Sequence, residues 1–227
     1  KGIPASLNVP AIDLTAERIF EVDSKASFVS FDGTQLWVGD FVKSSSKNFA
    51  PVAHHTQNPF GRNTWIAGYK TNADGLPTAS QKYTFKDGDT TRTAFKPDRL
   101  IFCRESVQGM AICGKYAALS LSYGALNAKL ALYKNPLSTP STKVSFKPAG
   151  QSKTFSAEAW ELADEKNWLK TAEIAAGSED LEFDGTSIYV TFEGASQNYR
   201  QKWISINPLV TISDRFYLIK PAEILKK

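Results

Sequence analysis

One pattern occurs three times along this chain: an apolar run, a tight turn at a glycine, and a second apolar run. The copies are Ser27–Phe41 (SFVSFDGTQLWVGDF), Val107–Ser120 (VQGMAICGKYAALS) and Leu181–Glu193 (LEFDGTSIYVTFE). Asp-Gly between β-rich runs is a strong hairpin signal, because glycine accepts the positive φ that tight hairpin turns demand. The turn glycines Gly33, Gly114 and Gly185 lie 81 and 71 positions apart. A third strand is readable after each hairpin, at Thr64–Lys70, Lys129–Lys134 and Lys202–Ile206. Further strands read at Gln81–Phe85, Thr142–Phe146 and Arg215–Ile219, and the best helical stretch is Ser156–Leu169. Antiparallel sheets of about four strands, repeated along a chain, are the mark of a propeller. The predicted fold is therefore all-β: a β-propeller of four-stranded antiparallel blades, one domain over residues 1–227. Blades usually take about 40–50 residues, so the spacing means one blade with long loops or two blades per repeat.

Composition narrows the function. Lys and Arg number 27 against 23 Asp and Glu, and they are scattered rather than gathered into a block, so no nucleic-acid surface is predicted. No apolar run approaches the ~20 residues that span a bilayer. Gly109–Lys115 matches a phosphate-loop pattern, but Tyr116 stands where the magnesium-binding hydroxyl belongs, so nucleotide binding is not expected. Cys103 and Cys113 end two apolar runs; if those runs are neighbouring strands, the sulfurs meet across the turn as a disulfide, and otherwise they are two buried thiols. The chain opens Lys1-Gly2-Ile3-Pro4 without a methionine, as expected of a processed product or a fragment.

The segments Ser27–Phe41, Val107–Gly124 and Ser178–Arg200 resemble, in this order, the blades of secreted six-bladed propellers of the lactonase-like and NHL-type group. They are closer still to a poorly characterised set of secreted bacterial propellers. The resemblance covers roughly residues 20–200 with gaps. It implies a propeller and a secreted or periplasmic location, and it brings no established activity. Ser178-Glu179-Asp180-Leu181 departs from the pattern, which has Glu-Gly-Ile there. Because such proteins are longer at the N-terminus, the chain is expected to be a compact propeller of about five blades, or an incomplete six-bladed array that a companion polypeptide completes.

In a propeller the first strand of each blade lines a central channel, and loops at one rim form the binding face. Ser27, Gln108 and Glu179 open the three first strands. Lactonase-like propellers carry metal-coordinating carboxylates or amides at the corresponding place, so the resemblance makes Gln108 and Glu179 candidate ligands of a channel Ca²⁺ or Mg²⁺. Asp40, Ser122 and Glu193 follow the second strands, where Asp40 and Glu193 could supply an acid–base pair. His54 and His55, the only histidines, sit in a long insertion expected to overhang the channel mouth and to bind metal or move a proton. Asp40, His54 and Glu193 are thus the catalytic candidates; His54, His55, Ser122 and Trp160 are the ligand-binding ones. Three functions stay open: a module binding a protein, glycan or small ligand at the rim, a metal-dependent lactonase- or esterase-like hydrolase, and a fragment completing a larger propeller.

Overall fold

The structure, a computed structural model, describes residues 20–25, 27–162, 164–193, 197–213 and 215–226; the opening Lys1–Pro4 lies outside them. Strand predominates, and it is organised around the three predicted hairpins. β1 (Phe28–Phe31) pairs with β2 (Gln35–Gly39) across Gly33, whose φ is 92°. The Asp32 carboxylate holds this turn: Oδ1 accepts the backbone N–H of Thr34 and of Gln35 at 2.9 and 2.8 Å, and Oδ2 accepts Trp37 Nε1–H at 2.8 Å. The turn before β14 (Ile188–Phe192) is built in the same way. Asp184 Oδ1 accepts from the backbone of Thr186 and Ser187, and Oδ2 accepts the Tyr189 hydroxyl, all at 2.8 Å.

Each hairpin grows into an antiparallel meander. β3 (Thr64–Lys70) adds to β2, and β6 (Arg99–Cys103) adds to β3, so the first sheet runs β1-β2-β3-β6. Between β3 and β6 the hairpin β4 (Lys82–Asp87) and β5 (Thr90–Phe95) folds as its own two-stranded sheet. The second sheet is β7 (Val107–Cys113), β8 (Tyr116–Leu121), β9 (Ala128–Lys134) and β12 (Trp168–Ile174). The hairpin β10 (Thr142–Phe146) and β11 (Phe155–Glu161) leaves this sheet to lay β11 parallel on β6, which extends the first sheet to six strands. That docking pairs an edge of β6 that would otherwise offer free backbone groups. β13 (Ser178–Phe183), β14 (Ile188–Phe192) and β15 (Tyr217–Ile219) form the third sheet, followed by helix α2 (Pro221–Lys226).

The first strands of the three sheets, β1, β7 and β13, pack against one another. Gly109 allows the tightest of these contacts, since a Cβ there would stand 2.3 Å from the Glu179 carbonyl oxygen and 2.9 Å from the Leu181 nitrogen. Alongside, the Ser120 hydroxyl donates to the Ser178 carbonyl at 2.9 Å. Burial follows the stacking. Trp37, Ile66 and Ile101 of the first sheet meet Met110 and Leu119 of the second, whose other face sets Leu130 and Leu132 against Leu181, Ile188 and Val190 of the third. A third apolar cluster joins Trp65, Tyr69 and Phe102 to Phe85 of the inserted hairpin and to Phe146 and Phe155.

Several sequence expectations are corrected. Lys202–Ile206 is not a strand but the end of helix α1 (Gln197–Ile206); β15 takes the third place in its sheet. Ser156–Leu169 is not helical. Phe155, Ala157 and Ala159 are buried while Glu158 is exposed, so this stretch follows the two-residue period of a strand, then a short 3₁₀ turn at Glu165–Asn167 and the start of β12. Gln81–Phe85 and Thr142–Phe146 fall in β4 and β10, but β6 and β12 are the fourth strands of the meanders. Cys103 and Cys113 are free thiols rather than a disulfide. They end β6 and β7, so the whole of β7, about 20 Å of extended chain, lies between them. They also face different cores, Cys103 between the first and second sheets and Cys113 between the second and third. Burial raises both thiols, that of Cys113 up to about 12.

Candidate functional site

A cavity of about 600 Å³ is lined from the sides of all three sheets. Ser27 enters it from the start of β1, Gln108 from β7, and Glu193 from the chain just past β14. Its apolar wall comes from Phe41, Phe49 and Tyr123 with Trp203 and Ile206 of α1. These rings brace one another. Phe41 meets Phe49 edge-on at 5.0 Å and stacks over Tyr123 at 6.0 Å, while Lys43 Nζ sits 3.3 Å from the centre of the Tyr123 ring.

The polar side of the cavity carries Ser27, Gln108, Glu193 and Lys202. Gln108 spends its amide N–H on the Ser122 carbonyl at 3.2 Å. Ser122 Oγ and Glu179 Oε1 are buried without a hydrogen-bond partner among the described residues. The Glu179 carboxyl hydrogen-bonds Glu193, and burial followed by the negative charge of Glu193 pushes it up to about 8. The structure therefore places Gln108 and Glu193 on one cavity, with Ser122 and Glu179 behind them as their hydrogen-bond neighbours. As ligands for Ca²⁺ or Mg²⁺ this set fits poorly. Glu179 is hydrogen-bonded to Glu193 and raised to about 8, and the side-chain oxygens of Gln108, Glu179 and Glu193 fall short of the six to eight that calcium takes.

Asp40, His54 and His55 lie elsewhere, in a closed cluster at the first sheet. The insertion carrying the histidines does not overhang a channel. It makes a 3₁₀ turn at Ala53–Thr56 that drives both imidazoles inward, leaving His54 2% and His55 0% exposed. His54 Nε2 meets Asp23 Oδ2 at 2.8 Å and His55 Nε2 meets Asp23 Oδ1 at 2.9 Å. His55 Nδ1 meets Asp40 Oδ2 at 2.8 Å, and Asp40 Oδ1 accepts the Ser24 hydroxyl at 2.8 Å as well as the Lys25 backbone N–H. The Tyr83 hydroxyl donates to Asp23 Oδ2, the Asp23 backbone N–H donates to the Tyr69 oxygen at 3.0 Å, and Trp65 Nε1–H donates to the Asp23 carbonyl at 3.0 Å. Burial alone would lower the affinity of His55 for its proton, but the Asp23 and Asp40 carboxylates outweigh it and raise the imidazole to about 9. Asp23 is held well below the usual carboxylate range: burial pushes it up, and the charge and hydrogen bonds of the two histidines more than reverse that.

Trp160 is buried, and its indole N–H is spent on the Thr139 carbonyl at 2.9 Å. Trp168 is half exposed and borders a larger cleft of about 740 Å³ with Arg62, Arg104 and Tyr133. That cleft gathers no residue of the three first strands, and Arg62 is bound to Glu161 at 2.7 Å. Sequence reasoning missed Asp23, Tyr69 and Tyr83. No motif marks them, because 31 positions separate Asp23 from His54 and 60 separate it from Tyr83, and only the fold brings them together. The aromatic wall of Phe41, Phe49 and Tyr123 was equally silent. No protein-family model, no curated protein and no solved structure matches this chain.

Proposed function

We propose that this chain is a propeller-type binding module, working after export, that captures a small amphipathic cation in the cavity lined by Ser27, Gln108 and Glu193. On this reading the three meanders are blades, and β1, β7 and β13 are their channel-lining strands. The observation that carries the proposal is the shared cavity itself, to which all three sheets contribute through Ser27, Gln108 and Glu193. The two halves of the ligand follow from its lining. A flat or branched apolar body packs on Phe41, Tyr123 and Trp203. A protonated amine at its end pairs with the Glu193 carboxylate on the cavity wall. A cavity of this size lies within the range of small-molecule sites.

The test is a matched pair of probes, phenethylamine and phenylpropionate, titrated into the ¹⁵N-labelled full chain. The amine is expected to shift the side-chain amide of Gln108 and the indole signal of Trp203, with the acid at least tenfold weaker. Glu193→Gln is expected to weaken the amine by about tenfold, the loss of one charge-assisted hydrogen bond. Preference for the acid, or shifts confined to other surfaces, would refute the reading.

A further inference from the structure

We propose that Asp23, His54 and His55 form a closed transition-metal centre of the zinc type, independent of the ligand cavity. The three ligand atoms lie within 4.8 Å of one another, and all three side chains are buried. Two imidazole nitrogens with one carboxylate oxygen make a borderline-soft donor set that suits Zn²⁺ rather than calcium or magnesium. Both histidines present the same atom, Nε2, to opposite oxygens of a single carboxylate, at 2.8 and 2.9 Å. Tetrahedral bonds of about 2.0–2.1 Å need ligand atoms some 3.3 Å apart, so the two His–Asp separations widen by about half an ångström to hold the ion. The Tyr83 hydroxyl meets the same Asp23 oxygen as His54 and offers the fourth position.

The surroundings are those of a metal site as well. The other ring nitrogen of His55 is oriented by Asp40, itself fixed by Ser24 and Lys25, which is the carboxylate–histidine–metal arrangement that sets the tautomer of a ligand. Rings enclose the cluster: His55 stacks on Trp65 at 4.0 Å, and His54 lies against Phe85 and Phe146 at 5.3 and 5.9 Å. A site this enclosed gives substrate no approach, so its role is structural. It ties the segment before β1 and the 3₁₀ turn to β3 and to the β4–β5 hairpin, and the ion enters as the chain folds, displacing protons from its ligands.

The test uses the untagged full chain, unfolded in chelator, stripped, and refolded with or without Zn²⁺ or Co²⁺. One ion per chain is expected after dialysis, with a higher melting temperature than the chelator-refolded protein. Co²⁺ is expected to give the intense visible absorption of a tetrahedral site. The chain has only two histidines, so nitrogen ligation detected at the cobalt reports this cluster. Asp40→Asn leaves the ligands in place and is expected to weaken the ion about 10–100-fold. His54→Gln is expected to abolish it; if that variant does not fold, the wild-type cobalt spectrum decides. Refolding to the same melting temperature in chelator and in zinc, with no bound ion and no cobalt band, would overturn the proposal.

Discussion

Glu179 lies beside Glu193, behind the cavity wall, and its carboxyl keeps a proton that an unfolded chain gives up. Its ordinary value is 4.5, and burial with the neighbouring charge raises it to about 8 in the folded protein. Between those values the unfolded state binds fewer protons than the native one, so this group makes stability fall as pH rises from 4.5 towards 8 and changes little beyond. Glu179→Gln removes the ionisable group while keeping its shape. It is expected to raise the melting temperature at pH 8 by about 2–4 °C and to leave pH 4.5 nearly unaltered. A variant that destabilises equally at both values would show that the carboxyl is held by contacts the amide lacks. The same scale shows what sequence can reveal about a site. Gln108, Glu179 and Glu193 were readable because they occupy comparable places in the repeated hairpins. The unpartnered oxygens of Ser122 and Glu179, and the whole role of Asp23, were not, since burial and partnership arise only on packing.

Among the elements, hairpins are the most legible. Asp32-Gly33 and Asp184-Gly185 encode their turns through local hydrogen bonds that need no tertiary context, and both appear as read. Most strands read from the sequence also appear, but their partners do not follow from the sequence. The β10–β11 hairpin leaves the second sheet for the edge of the first, a choice made by long-range packing of Phe146 and Phe155. Lys202–Ile206 reads as a strand from Trp203 and its β-branched neighbours, yet it closes a helix whose Trp203 faces the cavity. Contact between sheets hinges on Gly109, where β7 and β13 approach backbone to backbone. Gly109→Ala is expected to cost about 1–3 kcal/mol by overpacking, read as an earlier denaturant midpoint. Because β13 carries Glu179, the substitution is also expected to weaken binding of the amine probe. An unchanged midpoint would mean that the two strands are farther apart than described.

For the whole molecule, three meanders stack in chain order, with apolar cores between the first and second and between the second and third. Their first strands also touch, and the cavity beside them takes Ser27, Gln108 and Glu193 from the sides of the three sheets. An all-β chain of antiparallel sheets was legible from the hairpins. The number of sheets and the six-stranded extension were not, because edge docking has no local signature. The central claim, that these first strands converge, is tested most directly by proton–proton NOEs in the labelled chain. The Gly109 α-protons are expected to give a cross-peak to the Leu181 amide, linking two strands of different sheets that share no ladder. Gly109 cross-peaks confined to its β8 neighbours, with none to Leu181, would contradict the account.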